Sequence, residues 1–171
     1  ELRNPKLAER VAWELDRLNL DPNRLVVEVL ETVMSAAPDD VIARNINALS
    51  HMGCSIDLDD FGTGHASIAS LRRFAVKRIK IDRSFVMKVD SDPEQQRMVH
   101  AILTLADQLN LETIAEGVET AAEHTMLAQL GCANVQGFGI ARPMPFDQTL
   151  DWIRSNEATH RNTPRISRQT G

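Results

Sequence analysis

The chain is 171 residues long, 43% hydrophobic, and carries a formal net charge of −5. That length suits one folded unit with its own core, and the scattered basic residues give no footprint for wrapping nucleic acid, so no DNA partner is expected. No run of about 18 or more apolar residues marks a membrane span, and ELRNPKLAER lacks the form of a signal peptide, which points to a cytoplasmic protein or the cytoplasmic domain of a larger one.

In chain order, Leu7, Val11, Leu15 and Leu18 recur at helical spacing, predicting an amphipathic helix over 5–18 with Asn4 as its cap and Pro5 at its first position. LVVEVL, residues 25–30, is short and β-branched, hence a strand. Helical spacing returns over 38–53 at Ile42, Ile46 and Leu49, with Gly53 as C-terminal cap. CSIDL (54–58) is the next strand, followed by a short helix near 66–72 and strand RIKID (78–82). A helix over 94–109 presents Met98, Ile102, Leu105 and Leu109 on one face, and ETIAE (112–116) is again a strand. Thr120 and Glu123 have capping-box spacing, opening a helix that stops at Gly131. ANVQ (133–136) is a strand and 146–155 a helix carrying Phe146, Leu150 and Ile153. The polar, aperiodic sequence over 156–171 predicts a disordered tail. Cys54 and Cys132 each follow a glycine and lead into apolar sequence, as small buried residues do.

Five strands alternate with helices and no hairpin signal intervenes, so the class is α/β with parallel pairing. A doubly wound open sheet and part of a (β/α)8 barrel both fit this pattern. In either arrangement ligands meet the carboxyl ends of the strands. At those ends stand Glu28 and Glu31, Asp59 and Asp60, Lys80 and Asp82, Glu116 and Glu119, and Gln136. Alternation sends Lys80 to the face opposite Ile79 and Ile81, which is also covered in a parallel sheet, so the lysine needs anionic partners. Glu28, Asp59, Asp60 and Glu116 would oversupply them. Divalent cations balance such an excess, and the adjacent pair Asp59-Asp60 suits two ions, one acid bridging and its neighbour binding the second. This is the composition of metal-assisted phosphate-ester hydrolysis. No glycine-rich phosphate loop points to nucleoside triphosphates or dinucleotides.

Five blocks, LVVEVLET, IDLDDFGTGHASI, VKRIKIDRSFV, IAEGVET and LGCANVQGFGIARPMP, resemble in this order the EAL family of cyclic di-GMP phosphodiesterases over nearly all of residues 1–155. The resemblance implies a (β/α)8 TIM-type barrel, present here as an incomplete barrel of about five strands, that hydrolyses cyclic di-GMP to linear pGpG with two Mg²⁺ or Mn²⁺ ions. By position, Glu28 matches a metal-ligand glutamate, Asp59 the bridging aspartate and Asp60 the ligand of the second ion. Glu116 matches a further acid, a ligand or general base, Lys80 the lysine near the attacking water, and Gln136 the glutamine at the metal-water site. Glu119 resembles a supporting acid beside the ligands. Glu31, with Thr63, matches the anchor of the Phe61–Ser67 loop, which in the family couples metal occupancy to dimerisation.

The family's Glu-Ala-Leu glutamate and the asparagine strand that follows it are not among these residues. The first ion would therefore have only Glu28 and Asp59 from its usual protein ligands, and this chain on its own is expected to be inactive or nearly so. The alternative it leaves is a non-catalytic cyclic di-GMP-binding or dimerisation module. Exposed parallel edges predict a homodimer or self-association, and upstream sensory or GGDEF-type domains are common in the family. Asp57 stands where the family usually has a small apolar residue, and His65-Ala66 where Tyr-Ser is common; no role follows for either.

Overall fold

The computed structural model describes residues 1–37, 40–62 and 67–161, with side chains as far as 156. Five parallel strands, β1 (Val26–Leu30), β2 (Ser55–Phe61), β3 (Arg78–Ile81), β4 (Glu112–Ala115) and β5 (Asn134–Val135), form one sheet in the order β1-β2-β3-β4-β5. Each strand pairs with the next in sequence. A doubly wound sheet reverses its order at a switch point, whereas this order never reverses, so the sheet is a singly wound arc of the barrel type. The two arrangements open to the sequence are thereby reduced to one.

The helices are α1 (Leu7–Arg17), α2 (Val41–Met52), α3 (Ile68–Arg73), α4 (Arg83–Val86), α5 (Pro93–Gln108), α6 (Ala121–Leu130) and α7 (Phe146–Arg161). α2 buries Ile42, Ile46 and Leu49 as its spacing predicts, and it closes on Gly53 at φ 112°, a left-handed cap that α6 repeats with Gly131 at φ 95°. Ile56, Leu58, Ile79 and Ile81 fill the space between sheet and helices, all fully enclosed. Asn45 of α2 is buried too, and its amide donates to the carbonyls of Leu2 and Asn4, both at 2.8 Å, tying the first residues to the helix.

Several elements differ from their predicted form. α1 starts at Leu7; Asn4 caps the turn ahead of it, its Oδ1 accepting from Lys6 N–H at 3.0 Å. α5 turns Val99, Ile102 and Ala106 inward and leaves Met98 exposed, because the buried stripe of a straight helix follows the i, i+3, i+7 line through Ile102. α4 was not predicted: at a single turn it is too short to show a period, but Asp82 caps it through Ser84 N–H at 2.9 Å.

Two compact units divide the chain, Glu1–Ile140 and Ala141–Gly171. In the second, α7 runs through Arg161, beyond residue 155 where its helical pattern was expected to end and a disordered tail to begin. Neither Gly nor Pro occurs between Asn156 and Arg161, so nothing there breaks the helix. Residues 162–171 lie outside the described part.

The start of α6 shows how the loops at this end of the sheet are fixed. Glu123 completes the predicted box with Thr120 and also accepts from the N–H groups of Glu119 at 2.9 Å and Lys88 at 3.2 Å, joining two loops. Burial pushes its carboxyl up, but the three backbone donors outweigh burial and hold it below its ordinary value of 4.5. A carboxyl lowered on folding contributes stability above its unfolded pKa and loses it as pH falls through the folded value. Glu123→Ala is therefore expected to cost about 2 kcal/mol at neutral pH, and to flatten the fall in stability below pH 4.5. Urea melts across pH 3–7 check both; equal slopes in the two proteins would contradict it.

Candidate functional site

At the carboxyl end of the sheet, β2 departs from a regular strand. Leu58 pairs with Ile79 and Phe61 with Ile81, so three steps on β2 match two on β3, and the extra residue forms a bulge at Asp59-Asp60. Adjacent strand residues ordinarily face opposite sides. Here Asp60 takes φ 55°, and the bulge brings its carboxylate round to the side of Asp59. Oxygens of Asp59, Asp60 and Glu116 consequently lie within 4.8 Å of one another. The two acids were expected just past a strand ending at 58; they sit inside one that runs to Phe61.

Lys80 projects from β3 into the middle of this group. Its Nζ lies 2.9 Å from Glu28 Oε1, 2.9 Å from Asp59 Oδ1 and 2.8 Å from Glu116 Oε1, and its side chain is only 7% exposed. Burial alone would push the ammonium's pKa down; the close approach of the three carboxylates, Glu116 foremost, carries it well above the ordinary lysine range. Lys80 is thus a fixed cation. Burial raises Glu116, and it raises Asp60, where the charges of Asp59 and Asp82 add to the effect.

Four carboxylates against one ammonium leave a negative excess, the condition that favours a divalent cation. A sharper sign is Asp59 Oδ1, which is enclosed and accepts no well-directed hydrogen bond despite its closeness to Nζ. The ion pair answers its charge but not its lone pairs. Asp59, Asp60 and Glu116 offer hard oxygen donors of the kind Mg²⁺ and Mn²⁺ take, so the residues present fit such an ion. Glu28 meets this trio through Lys80, its own side chain half exposed.

A cleft of about 330 Å³ opens beside the carboxylates, lined by Asp60, Asp82, Arg83, Glu116, Glu119 and Gln136 together with Gly137 and the exposed ring of Phe138. Glu119 faces Arg83 across it at 2.6 Å rather than joining the trio. Gln136 is held by its backbone, its N–H donating to Ala115 at 2.8 Å and its carbonyl accepting from Val118 at 3.1 Å. Gly137 follows where the chain presses on the next loop: a Cβ there would stand 2.2 Å from the carbonyl oxygen of Val118, so no other residue fits without moving the backbone that carries Gln136. Glu31, buried after β1, accepts from Gly62 N–H at 3.1 Å and so ties down the chain leaving the bulge. Thr63 lies outside the described residues. Arg83 and Phe138 were not singled out from the sequence; both follow a strand end by one or two residues, the only local signal they give.

The model of the EAL domain matches residues 1–143. The chain belongs to the EAL domain family. Among curated EAL relatives, the bifunctional diguanylate cyclase/cyclic di-GMP phosphodiesterase MucR of Pseudomonas aeruginosa is 41% identical over 145 residues, covering 84% of this chain and 21% of that protein. The cyclic di-GMP phosphodiesterase RocR of the same organism is 35% identical over 152 residues, 89% of this chain and 38% of its own length. The chain thus spans well under half of either relative. Among solved EAL structures, a MucR phosphodiesterase complex with c-di-GMP superposes with a TM-score of 0.79 at 38% identity, covering 86% of this chain and 60% of that one. Klebsiella pneumoniae BlrP1 in a manganese/cy-diGMP complex gives 0.69 at 32% identity, covering 79% and 35%. These neighbours agree with a barrel of which this chain forms an arc. No described helix is long and apolar enough to cross a membrane.

Proposed function

We propose that this chain supplies the carboxylate and lysine face of a metal-dependent phosphodiesterase that hydrolyses cyclic di-GMP to linear pGpG in bacterial second-messenger signalling. The observation that carries the reading is the bulge at Asp59-Asp60, which sets both acids and Glu116 within reach of one ion around a cation, Lys80. In this reading Glu28, Asp59 and Asp60, with Glu116 beside them, would hold two divalent ions, Mg²⁺ or Mn²⁺. Ions held there would supply Lewis acidity toward the phosphate and the attacking water.

The chain's own residues do the rest. Lys80, permanently charged between Glu28, Asp59 and Glu116, favours negative charge developing on the water's oxygen and fixes Glu116 in one orientation. Glu116, oriented by Lys80 Nζ at 2.8 Å, serves this site as a ligand or as the general base that takes the water's proton as oxygen attacks phosphorus. The bond from phosphorus to the 3′ oxygen breaks, that oxygen is protonated, and a 5′-phosphate is left on the linear product. Gln136 offers its amide from the cleft wall, and Glu119 holds Arg83 at the cleft's mouth. The partners of this reading are cyclic di-GMP and a second copy of the chain, and its setting is the cytoplasm.

One observation favours a second reading. Glu28 is drawn to Lys80, and only Asp59, Asp60 and Glu116 gather as a possible ion-holding set among the described residues, which leaves the first ion poorly held. A cyclic di-GMP-binding or dimerisation module without catalysis would look the same. Mn²⁺-dependent turnover of cyclic di-GMP separates the two: joined to a Glu-Ala-Leu segment of the family the chain is expected to release pGpG, and by itself little or none, whereas tight binding of cyclic di-GMP without product by the joined protein would replace the first reading with the second.

A further inference from the structure

Asp57 and Arg78 take no part in the chemistry above, yet they sit directly beneath it. Register places Glu28, Asp57, Arg78 and Glu112 in one row across β1 to β4, and neighbours in such a row point to the same side of a parallel sheet. Asp59 lies two residues beyond Asp57, and Lys80 two beyond Arg78, so the row and the site share that side. The row holds three acids and a single cation. Asp57, with a side chain only 4% exposed, has its Oδ2 3.3 Å from Arg78 Nη1. On its other flank the guanidinium donates to Glu112 Oε2, from Nη2 at 2.8 Å and from Nε at 3.1 Å.

An ammonium has three N–H donors, and Lys80 has three carboxylates within 2.9 Å. Lys80 reaches back into the lower row to find Glu28, whose neighbour across β1 and β2 is Asp57. Asp57 is the most buried of these four carboxylates, and if it lacked a cation of its own it would draw on the same ammonium, because an unpaired buried charge is costly. Arg78 is suited to prevent this. Its planar fork serves two carboxylates at once, and Glu112 anchors it from the outer side.

We propose that Asp57 and Arg78 form a positioning pair for Lys80: Arg78 keeps the buried carboxylate of Asp57 occupied, and so leaves the ammonium shared among Glu28, Asp59 and Glu116. Neither residue touches a reacting group; both act through Lys80. The consequence for hydrolysis rests on the phosphodiesterase reading, but the placement of Lys80 does not.

The test is therefore read without substrate or metal, as the ¹H–¹⁵N signal of the Lys80 ammonium in protein labelled on lysine nitrogen. Three ion pairs slow the exchange of those protons, so the Lys80 signal, identified by its loss in Lys80→Arg, is expected to stand apart from those of Lys6, Lys77 and Lys88. In Arg78→Met it is expected to shift or vanish, and in the double variant Asp57→Ala/Arg78→Met, where the competing acid is gone as well, to return. Arg78→Lys, which keeps a cation beside Asp57, should retain it. A merely structural pair would lower the melting temperature of Arg78→Met while leaving the signal in place. Either that result or a signal still missing from the folded double variant overturns the proposal. Should Arg78→Met fail to fold, Arg78→Gln, uncharged but able to donate, gives the same comparison.

Discussion

In the chain joined to a Glu-Ala-Leu segment of the family, Asp59→Asn lowers hydrolysis of cyclic di-GMP by about a thousandfold, the size of effect expected when a charged group central to transition-state stabilisation is removed. Asparagine has the same shape and keeps one acceptor oxygen, and Lys80 retains Glu28 and Glu116 at 2.9 and 2.8 Å, so the fold has little reason to change. What is lost is a negative charge 2.9 Å from the cation, on an acid with an oxygen within 4.8 Å of those of the other two in the trio. Release of pGpG with Mn²⁺ measures the first consequence, and Mn²⁺ binding followed by electron paramagnetic resonance the second. Turnover within about tenfold of the unaltered protein would mean that Asp59 is not where the ions meet.

Lys80→Met produces the largest expected change in stability. Removing the ammonium leaves Glu28, Asp59 and Glu116 facing one another around an apolar side chain. Breaking a buried ion pair from one side costs about 3–5 kcal/mol, and the lower end applies because Glu28 is half exposed. For a domain of this size that corresponds to a fall in melting temperature of roughly 10 °C. Two controls give the prediction its sign. Lowering the pH protonates the acids and shrinks the deficit, Asp60 and Glu116 first because both are already raised. Adding Mn²⁺ supplies a replacement cation and should recover part of the loss. A melting temperature unchanged by the substitution would show that Lys80 does not offset the repulsion among these carboxylates.

The strands, most of the helices and the acids at the strand ends were legible because each has a local cause: β-branched runs, helical spacing, glycine caps, and the rule that parallel strands open their loops on one face. Lys80 was legible as a paired cation because alternation between Ile79 and Ile81 leaves it no exposed side. What escaped depends on register. The bulge exists only because Leu58 meets Ile79 while Phe61 meets Ile81, and neither strand carries that information alone. The Arg83–Glu119 and Asp57–Arg78 pairs likewise join residues far apart in sequence, and Asp57 was visible only as an unexplained departure. The face of α5 was misjudged by one position, since Met98 and Val99 are both apolar and only packing chooses between them.

The backbone at Asp60 also bears on which sequences can keep this centre. A φ of 55° is adopted readily by glycine, asparagine and aspartate and by few other residues. Of those, aspartate alone also brings a carboxylate, so one position answers at once to a steric demand and a chemical one. A glutamate there would keep the charge but favour a regular strand, returning that charge to the far side of the sheet. A relative could thus retain every acid by count and still have lost the arrangement. Its competence would be read from the dihedral at this residue before it was read from the inventory of ligands.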